Sequence, residues 1–189
     1  MDHYIELAIV PDPEFSEPLL MNALFGKLHR ALVVLSRQDI GVSFPGYHEG
    51  RQKRTLGHIL RLHGTLSALA ELMGTDWLKG MRDHLDITEC QPIPSPLGYR
   101  KVQRRQFKTN AERMRRRRAS RHGETLEEAR SHIPDSVIRQ VGLPFVQLNS
   151  QSTHQKFCLF ISHSEIMTNP IQGAFNAYGL SSTATIPWF

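Results

Sequence analysis

The spacing of apolar residues changes several times along the first 90 positions, and this order limits the folds open to the chain. Residues 5–9 alternate apolar and other side chains, which is typical of a half-buried strand. Over 17–35 the apolar residues recur at helical spacing. Short strands are predicted at 40–44 and 59–63. The remaining elements predicted in this part are helices at 67–73 and 76–84 and a strand at 85–88.

Strand, helix, strand, strand, helix, strand is the element order of a ferredoxin-like unit. We therefore predict an α+β protein with an N-terminal ferredoxin-like (βαββαβ) domain over residues 1–94. A proline-rich connector follows, because Pro92, Pro94 and Pro96 stiffen the chain there. Residues 95–189 are predicted to form a C-terminal α+β part. The fold alone identifies no function, since ferredoxin-like domains serve many.

Positive charge is concentrated in one segment of 23 residues, Arg100–His122. It contains 11 of the 23 Lys and Arg residues of the chain and a single acidic residue, Glu112. The segment carries a formal charge of +10, whereas the other 166 residues sum to −5. A solvated basic surface is one interpretation. Such a density in one segment is also typical of an element that binds a polyanion, and its helical order favours a nucleic acid.

An arginine-rich helix is predicted within this segment, from about 110 to 121. Thr109 and Glu112 have the spacing of a capping box, and Gly123 is placed to end the helix. Like charges at helical spacing repel each other, so bound phosphates would stabilise this helix. Four arginines would lie on or beside one of its faces: Arg113, Arg116, Arg117 and Arg121.

The remainder of the C-terminal part is predicted to contain one short helix and several strands. Thr125 and Glu128 have the spacing of a second capping box, and Pro134 would end the helix that follows. Alternating or continuous apolar residues predict strands at 144–148 and 157–162.

Familiar catalytic motifs are missing from the sequence. It has no Walker A loop, no H-E-x-x-H, no G-x-S-x-G and no cysteines or histidines at zinc spacing, so we expect neither a metal nor a cofactor. A two-metal nuclease needs clustered carboxylates, which the arginine-rich segment lacks. A nuclease without metal is restricted to RNA, whose 2′-hydroxyl is a built-in nucleophile. That reaction needs a base, an orienting group and help for the charged phosphorane.

Composition also bears on where the protein acts. Cys90 and Cys158 are far apart in sequence, which does not indicate a disulfide scaffold. The N-terminus lacks the layout of a signal peptide, and no apolar run reaches the ~18 residues that a membrane span needs. We expect a cytoplasmic protein with no membrane partner.

Specific strings along the whole chain resemble the repeat-processing endoribonuclease of type I-F CRISPR systems. These strings are the opening Met-Asp-His-Tyr, 11–15, 24–29, 41–45, Tyr99-Arg100, 110–122, 143–146, 150–153, 157–161, 178–181 and the final Pro-Trp-Phe. The resemblance implies an enzyme that cleaves the precursor CRISPR transcript at the 3′ base of a repeat stem-loop, without metal, leaving a 2′,3′-cyclic phosphate. It implies essentially single-turnover action, because the product hairpin stays bound as part of the interference complex. It is also consistent with a chain that is monomeric when free.

The same resemblance assigns three catalytic residues. It implies that His29 is the general base, that Ser150 holds the 2′-hydroxyl and that Tyr178 orients the base or the ribose. Imidazole suits such a role near neutral pH because its ordinary pKa is ~6.5. Without the resemblance, each residue also fits a structural role at the edge of a helix, in a polar loop or in the core. Ser152 is the nearest alternative to Ser150.

The resemblance further implies how the RNA is recognised. Arg104 and Gln106 match a pair that reads the base pair at the foot of the stem, and their donors and acceptors suit guanine and adenine. Phe157 matches an aromatic residue that stacks near the cleavage site, although its strand position equally fits the core. Three residues match arginines that enter the RNA groove: Arg116, Arg117 and Arg121. Ala119-Ser120 interrupts this run and is a departure from the family.

Two other classes of function fit part of the same pattern. A structural subunit could hold the RNA hairpin without cleaving it. A general basic nucleic-acid-binding protein would bind by charge and would be indifferent to the hairpin sequence.

Overall fold

The structure is a computed structural model that describes residues 1–50, 52–107, 111–134, 141–150 and 155–189. Within these residues the chain is a mixed α/β protein with four α-helices and antiparallel sheets. It divides into two compact units, the first formed by Met1–Arg105 with Leu143–Phe189 and the second by Gln106–Gly142. The predicted boundary after residue 94 lies inside the first unit, and the division into domains at that point stays a prediction.

The largest sheet of the first unit is formed by the N-terminal half of the chain. Its elements are β1 (His3–Ile9), α1 (Glu17–Leu35), β2 (Gly41–Ser43), β3 (Ile59–Gly64), α2 (Leu66–Gly74), β4 (Leu85–Ile87) and β5 (Gln91–Pro92). The strands pair antiparallel in the order β2-β3-β1-β4, and β5 also pairs with β1. The sequence predicted each of β1 to β4 and both α-helices near these positions, and the structure confirms them.

One predicted element of this half is wrong. Residues 76–84 form no α-helix, and only Arg82–His84 make a single 3-10 turn. Trp77, Leu78 and Met81 are buried, so their spacing imitates that of an amphipathic helix. The backbone at Gly80 has a φ of +72°, in the left-handed region, and therefore a continuous helix cannot pass through it.

Helix α1 is the central helix of the first unit. It has 19 residues, begins with a proline in its first turn and is long and apolar enough to span a membrane by length and composition alone. It is not an uninterrupted apolar run, because Asn22, Lys27, His29 and Arg30 lie within it. Its apolar composition has a simpler reason, since one stripe of side chains packs in the core: Leu20, Met21, Leu24, Phe25, Leu28 and Leu32.

The C-terminal part of the first unit contributes five further strands to the described structure. They are β6 (Gly98–Arg100), β7 (Val102–Arg105), β8 (Phe145–Asn149), β9 (Lys156–His163) and β10 (Ile186–Trp188). β6 pairs with β10, and the other three form a sheet in the order β7-β9-β8. The N–H of Gln147 in β8 donates to the Asn22 side chain at 2.8 Å. Leu148 lies so near Gly26 that a Cβ there would be 3.5 Å from it. β8 therefore runs along one flank of α1, and we call this contact the α1–β8 seam.

The second unit contains helices α3 (Ala111–His122) and α4 (Leu126–His132). The predicted capping box at the start of α4 is confirmed, because the side chains of Thr125 and Glu128 each accept a hydrogen bond from the other's backbone N–H. Gly123, with a φ of +67°, follows the last residue of α3 as predicted. Thr109 and Asn110, at the predicted start of α3, lie outside the described residues.

A buried histidine makes the first unit sensitive to acid. His63 in β3 is fully buried, and its Nε2 lies 2.8 Å from the Ser43 hydroxyl. Burial, with a smaller effect of the neighbouring Arg61, lowers the pKa of His63 to about 3. The unfolded chain therefore binds one more proton than the folded chain between pH ~6.5 and about 3.

We expect the free energy of unfolding to fall as the pH is lowered from 6.5. His63 alone contributes up to about 1.4 kcal/mol per pH unit in this window. Urea denaturation of the wild type, His63→Gln and His58→Gln at pH 7.5, 6.0 and 5.0 measures the contribution. His58 is exposed and serves as the control. Equal pH slopes for the wild type and His63→Gln would contradict the assignment.

Candidate active site

His29 is fixed by two contacts from a distant turn. It is half-buried on α1, and its Nδ1 lies 2.9 Å from the carbonyl oxygen of Ala177. A carbonyl oxygen only accepts hydrogen bonds, so Nδ1 carries the hydrogen and donates it. In the neutral ring the lone pair then resides on Nε2. The side chain is thus held in the tautomer whose Nε2 can accept a proton.

Tyr178 provides the second contact. Its ring stacks on the His29 imidazole, with the centroids 3.9 Å apart and the planes inclined by 15°. It also lies parallel to the Phe25 ring at 6.2 Å, within the aromatic part of the core. The Tyr178 hydroxyl makes no hydrogen bond with any residue that the structure describes. Its ring, rather than its hydroxyl, therefore contacts the histidine.

The turn that carries these contacts is itself tightly bound. The Asn176 side chain accepts hydrogen bonds from the N–H of Tyr178 at 2.8 Å and of Leu180 at 3.3 Å. Gly179 has a φ of +69°, and its carbonyl accepts the N–H of Val42 in β2 at 3.0 Å. A Cβ at Gly179 would lie 2.7 Å from the Val42 side chain, so only glycine fits there. The turn is anchored to the main sheet and holds the imidazole in place.

Ser150 lies at the end of β8, where the α1–β8 seam approaches His29. Its N–H donates to the Gln155 carbonyl at 2.9 Å, which continues the pairing of β8 with β9. The seam passes through Asn22 beside Gln147 and Gly26 beside Leu148. Going on in the same direction, α1 rises about 4.5 Å from Gly26 to His29. β8 rises about 6.6 Å from Leu148 to Ser150. Both residues thus lie at the same end of the seam.

The three residues predicted to be catalytic therefore belong to one region of the first unit. His29 and Tyr178 are in direct contact, and Ser150 is at the adjoining end of β8. Ser152 lies outside the described residues. The asparagine at 176, which holds the turn, was not singled out in the sequence; an Asn two residues before a Tyr-Gly pair is a turn signal that would have drawn attention to it.

The residues predicted to read the foot of an RNA stem have different surroundings. Arg104 is exposed in β7, opposite Ile161 of β9, and Gln106 is exposed just beyond this strand. Phe157 lies opposite Leu148, is half-buried and packs against the hydrophobic core. Its core contact is therefore observed, and its stacking on RNA stays a prediction.

Helix α3 has an exposed arginine face. Arg116, Arg117 and Arg121 are exposed. Arg116 forms an ion pair with Glu112 at 3.5 Å, which at such exposure is weak. Nothing is described for the side chain of Arg113. The three described arginines are available to contact a ligand of the second unit.

Two other arginines of α3 have internal roles that the sequence did not reveal. Arg115 is buried and donates to the Ile133 carbonyl from Nε at 2.9 Å and Nη2 at 2.7 Å, beyond the end of α4. Arg118 donates from Nε and Nη2 to both carboxylate oxygens of Glu124 at 2.9 Å, and this lowers the pKa of Glu124. The sequence did contain a signal for Arg118, because Glu124 follows it by six residues, just after Gly123. Arg115 and Arg118 therefore stabilise the second unit through internal hydrogen bonds.

Comparisons with known proteins cover nearly the whole chain. Residues 4–189 match the family model described as CRISPR-associated protein (Cas_Csy4). The chain belongs to the Cas_Csy4 family. It is 49% identical over 189 residues to the CRISPR-associated endonuclease Cas6/Csy4 of Pseudomonas aeruginosa (strain UCBPP-PA14), with all of both chains covered. It is 43% identical over 189 residues to the protein of the same name from Escherichia coli (strain UTI89 / UPEC), again with all of both chains covered.

This family membership confirms the resemblance recognised in the sequence. In the part of the chain that the structure describes, no group of three or more His, Cys, Asp or Glu residues is arranged to hold a metal ion.

Proposed function

We propose that this protein is an endoribonuclease that cleaves precursor CRISPR RNA at the 3′ base of a repeat stem-loop, without a metal ion. Support comes from membership of the Cas_Csy4 family and from relatives named CRISPR-associated endonuclease. The observation that carries the chemistry is the fixed imidazole of His29. Its Nδ1 donates a hydrogen bond to the Ala177 carbonyl, and its ring stacks on Tyr178. In the neutral ring, Nε2 is therefore the atom that can accept a proton.

The proposed reaction uses the RNA as its own nucleophile. His29 Nε2 takes the proton of the 2′-hydroxyl at the cleavage site, while the Ser150 hydroxyl orients that group. The 2′-oxygen attacks the adjacent phosphorus, and the bond from phosphorus to the 5′-oxygen breaks. The leaving 5′-oxygen takes up a proton from the solvent, so the products are a 2′,3′-cyclic phosphate and a 5′-hydroxyl. A positioned base of this kind contributes ~10²–10⁴-fold to the rate.

RNA binding in this proposal uses the exposed arginines of α3, Arg116, Arg117 and Arg121. It also uses Arg113, which the sequence predicts to contact RNA. Side chains cannot read the deep major groove in the middle of an RNA duplex, so the helix would enter near a loop or an end of the stem. Arg104 and Gln106 would read the pair at the foot of the stem, and Phe157 would stack beside it. Product held this tightly would leave slowly, which accounts for essentially single-turnover action.

The proposal extends to the fold and the assembly. A ferredoxin-like arrangement of the N-terminal part is supported by the sheet order β2-β3-β1-β4, with a helix after β1 and another after β3. We further propose a cytoplasmic protein that is monomeric when free and joins the interference complex together with its hairpin. The free thiols of Cys90 and Cys158 are in keeping with a reducing compartment.

The direct test is cleavage of a labelled cognate repeat hairpin by the wild-type protein in excess EDTA. We expect cleavage at the 3′ base of the stem and a cyclic phosphate on the upstream product, identified by its resistance to phosphatase until acid opens the ring. Tight binding without cleavage would favour the structural-subunit function. Binding that an unrelated hairpin competes away equally well would favour a general nucleic-acid-binding protein.

Substitution of Tyr178 separates the role of its ring from that of its hydroxyl. Because the ring stacks on His29 and the hydroxyl has no described partner, we expect Tyr178→Phe to cleave at close to the wild-type rate. Tyr178→Ala removes the stack and should slow single-turnover cleavage by about tenfold or more, since small misplacements of a catalytic group are costly. A slow Tyr178→Phe variant would instead assign the hydroxyl to the RNA.

A further inference from the structure

A cavity of about 260 Å³ lies at the end of the α1–β8 seam opposite to His29. It is formed by the first turns of α1, the chain around 54–57 and the start of β8. Its principal lining residues are Glu17, Met21, Asn22, Arg54, Leu56 and Phe145. All of them belong to the first unit, and none has a role in the catalytic proposal.

The walls of this cavity offer a surface for stacking. Phe145 is half-buried and braced by the Phe160 ring at a centroid distance of 5.4 Å. The guanidinium carbon of Arg54 lies 5.2 Å from the Phe145 ring centroid. Unpaired RNA bases stack on aromatic rings and on the planes of arginine guanidinium groups. One side of the cavity therefore combines the two side chains best suited to a base.

Polar groups on the other side suit the edge of a base. The Asn22 Oδ1 already accepts the Gln147 N–H, so the remaining group of this side chain is its NH₂ donor. Glu17 lines the same cavity and supplies an acceptor. A base edge presents both donors and acceptors, whereas a phosphate presents acceptors alone and would be repelled by the Glu17 carboxylate. This chemistry favours a nucleobase over a phosphate.

The distance to the proposed catalytic residues fits a short single strand. Asn22 and His29 are separated by about 10.5 Å along α1, and Phe145 and Ser150 by about 16.5 Å along β8. These distances correspond to roughly three to five nucleotides if the bases stay stacked, and to fewer if the strand is extended. Cleavage is proposed at the 3′ base of the stem. The unpaired nucleotides next to the scissile phosphate are therefore those on its 3′ side.

We propose that this cavity binds an unpaired base of the RNA that lies 3′ of the scissile phosphate. This inference rests on the proposed function, since it places the flank relative to a cleaved hairpin. The flank departs when the RNA is cut. The cavity would therefore make the protein bind the uncut precursor more tightly than its own hairpin product.

Equilibrium binding of uncleavable hairpins tests the inference without relying on activity. Each RNA carries a 2′-deoxy nucleotide at the cleavage site, and the 3′ flank is one nucleotide or six nucleotides long. The wild type should bind the hairpin with the six-nucleotide flank at least about 5-fold more tightly than the hairpin with the one-nucleotide flank. This is the effect expected from stacking of one base. The same six nucleotides placed 5′ of the stem should give no such gain.

Two variants locate the effect. Phe145→Ala should abolish the gain from the 3′ flank while leaving the affinity for the one-nucleotide form unchanged. Arg54→Gln should reduce the gain in affinity that the 3′ flank provides. Because Arg54 is exposed, this variant should fold normally and serves as a control for a folding defect in Phe145→Ala. A wild type that binds both lengths equally would overturn the inference, as would a gain that both variants retain. If the wild type does not cleave a hairpin that has a one-nucleotide flank and the natural 2′-hydroxyl at the cleavage site, the proposed function is instead overturned.

Discussion

Replacing His29 should abolish cleavage of the repeat hairpin and leave its binding intact. His29→Ala removes the Nε2 acceptor, and the single-turnover rate should fall by ~10²–10⁴-fold. The variant also leaves the Ala177 carbonyl without its donor. His29→Asn is therefore the better variant, because its side-chain NH₂ can replace the Nδ1 donor while no base remains. Rates with saturating protein, beside dissociation constants for an uncleavable hairpin, measure both effects.

The matched control for this experiment is His58→Ala, which removes an exposed histidine elsewhere in the first unit. It should cleave at the wild-type rate. If His29→Asn binds the hairpin and still cuts it at a wild-type rate, His29 is not the base. Partial recovery of His29→Ala activity on addition of imidazole to the buffer would support a missing proton acceptor over a missing contact.

Removing two exposed arginines of α3 should have the largest effect on binding. We expect Arg117→Gln with Arg121→Gln to weaken hairpin affinity by roughly tenfold or more at physiological salt. The slope of log K against log salt should become shallower by about 2, one for each lost phosphate contact. Both side chains are exposed, so the change should leave the helix folded. Titrations at several salt concentrations with an uncleavable hairpin measure affinity and slope together.

The control variant carries the same change of charge in the first unit, Lys79→Gln with Arg82→Gln. Both of these side chains are exposed, so equal loss of charge tests whether position matters. A salt slope that stays at the wild-type value in the α3 variant would exclude phosphate contacts by these arginines. Equal losses in the two variants would mean that the RNA responds to overall charge alone.

Local pattern was sufficient for most of the elements and for the arginine helix. The periodicity of α1 defined both its ends, because its apolar stripe packs on the core over the whole of its length. The same reasoning failed at 76–84, where buried Trp77, Leu78 and Met81 have helical spacing. There the backbone turns at Gly80, and a local pattern does not distinguish a buried turn from a helix.

The site could be predicted only in part, because its contacts are long-range. Side-chain type and resemblance pointed to His29 and Tyr178, but neither indicates that a carbonyl 148 positions away fixes the tautomer. Sequence also did not separate the inner arginines of α3 from the outer ones. Arg115 is buried because the Ile133 carbonyl accepts from it, and that acceptor lies beyond the end of another helix.

The hydrogen bond between His29 and Ala177 has a consequence for the timing of activity during synthesis. His29 emerges from the ribosome 148 residues before Ala177, which belongs to the turn that orients it. A nascent chain that stops short of Ala177 holds an imidazole with neither its carbonyl partner nor its stacking partner. If His29 is the general base, as proposed, a chain translated only as far as residue 176 lacks an oriented base, and we expect it to cleave RNA more slowly than the full sequence does.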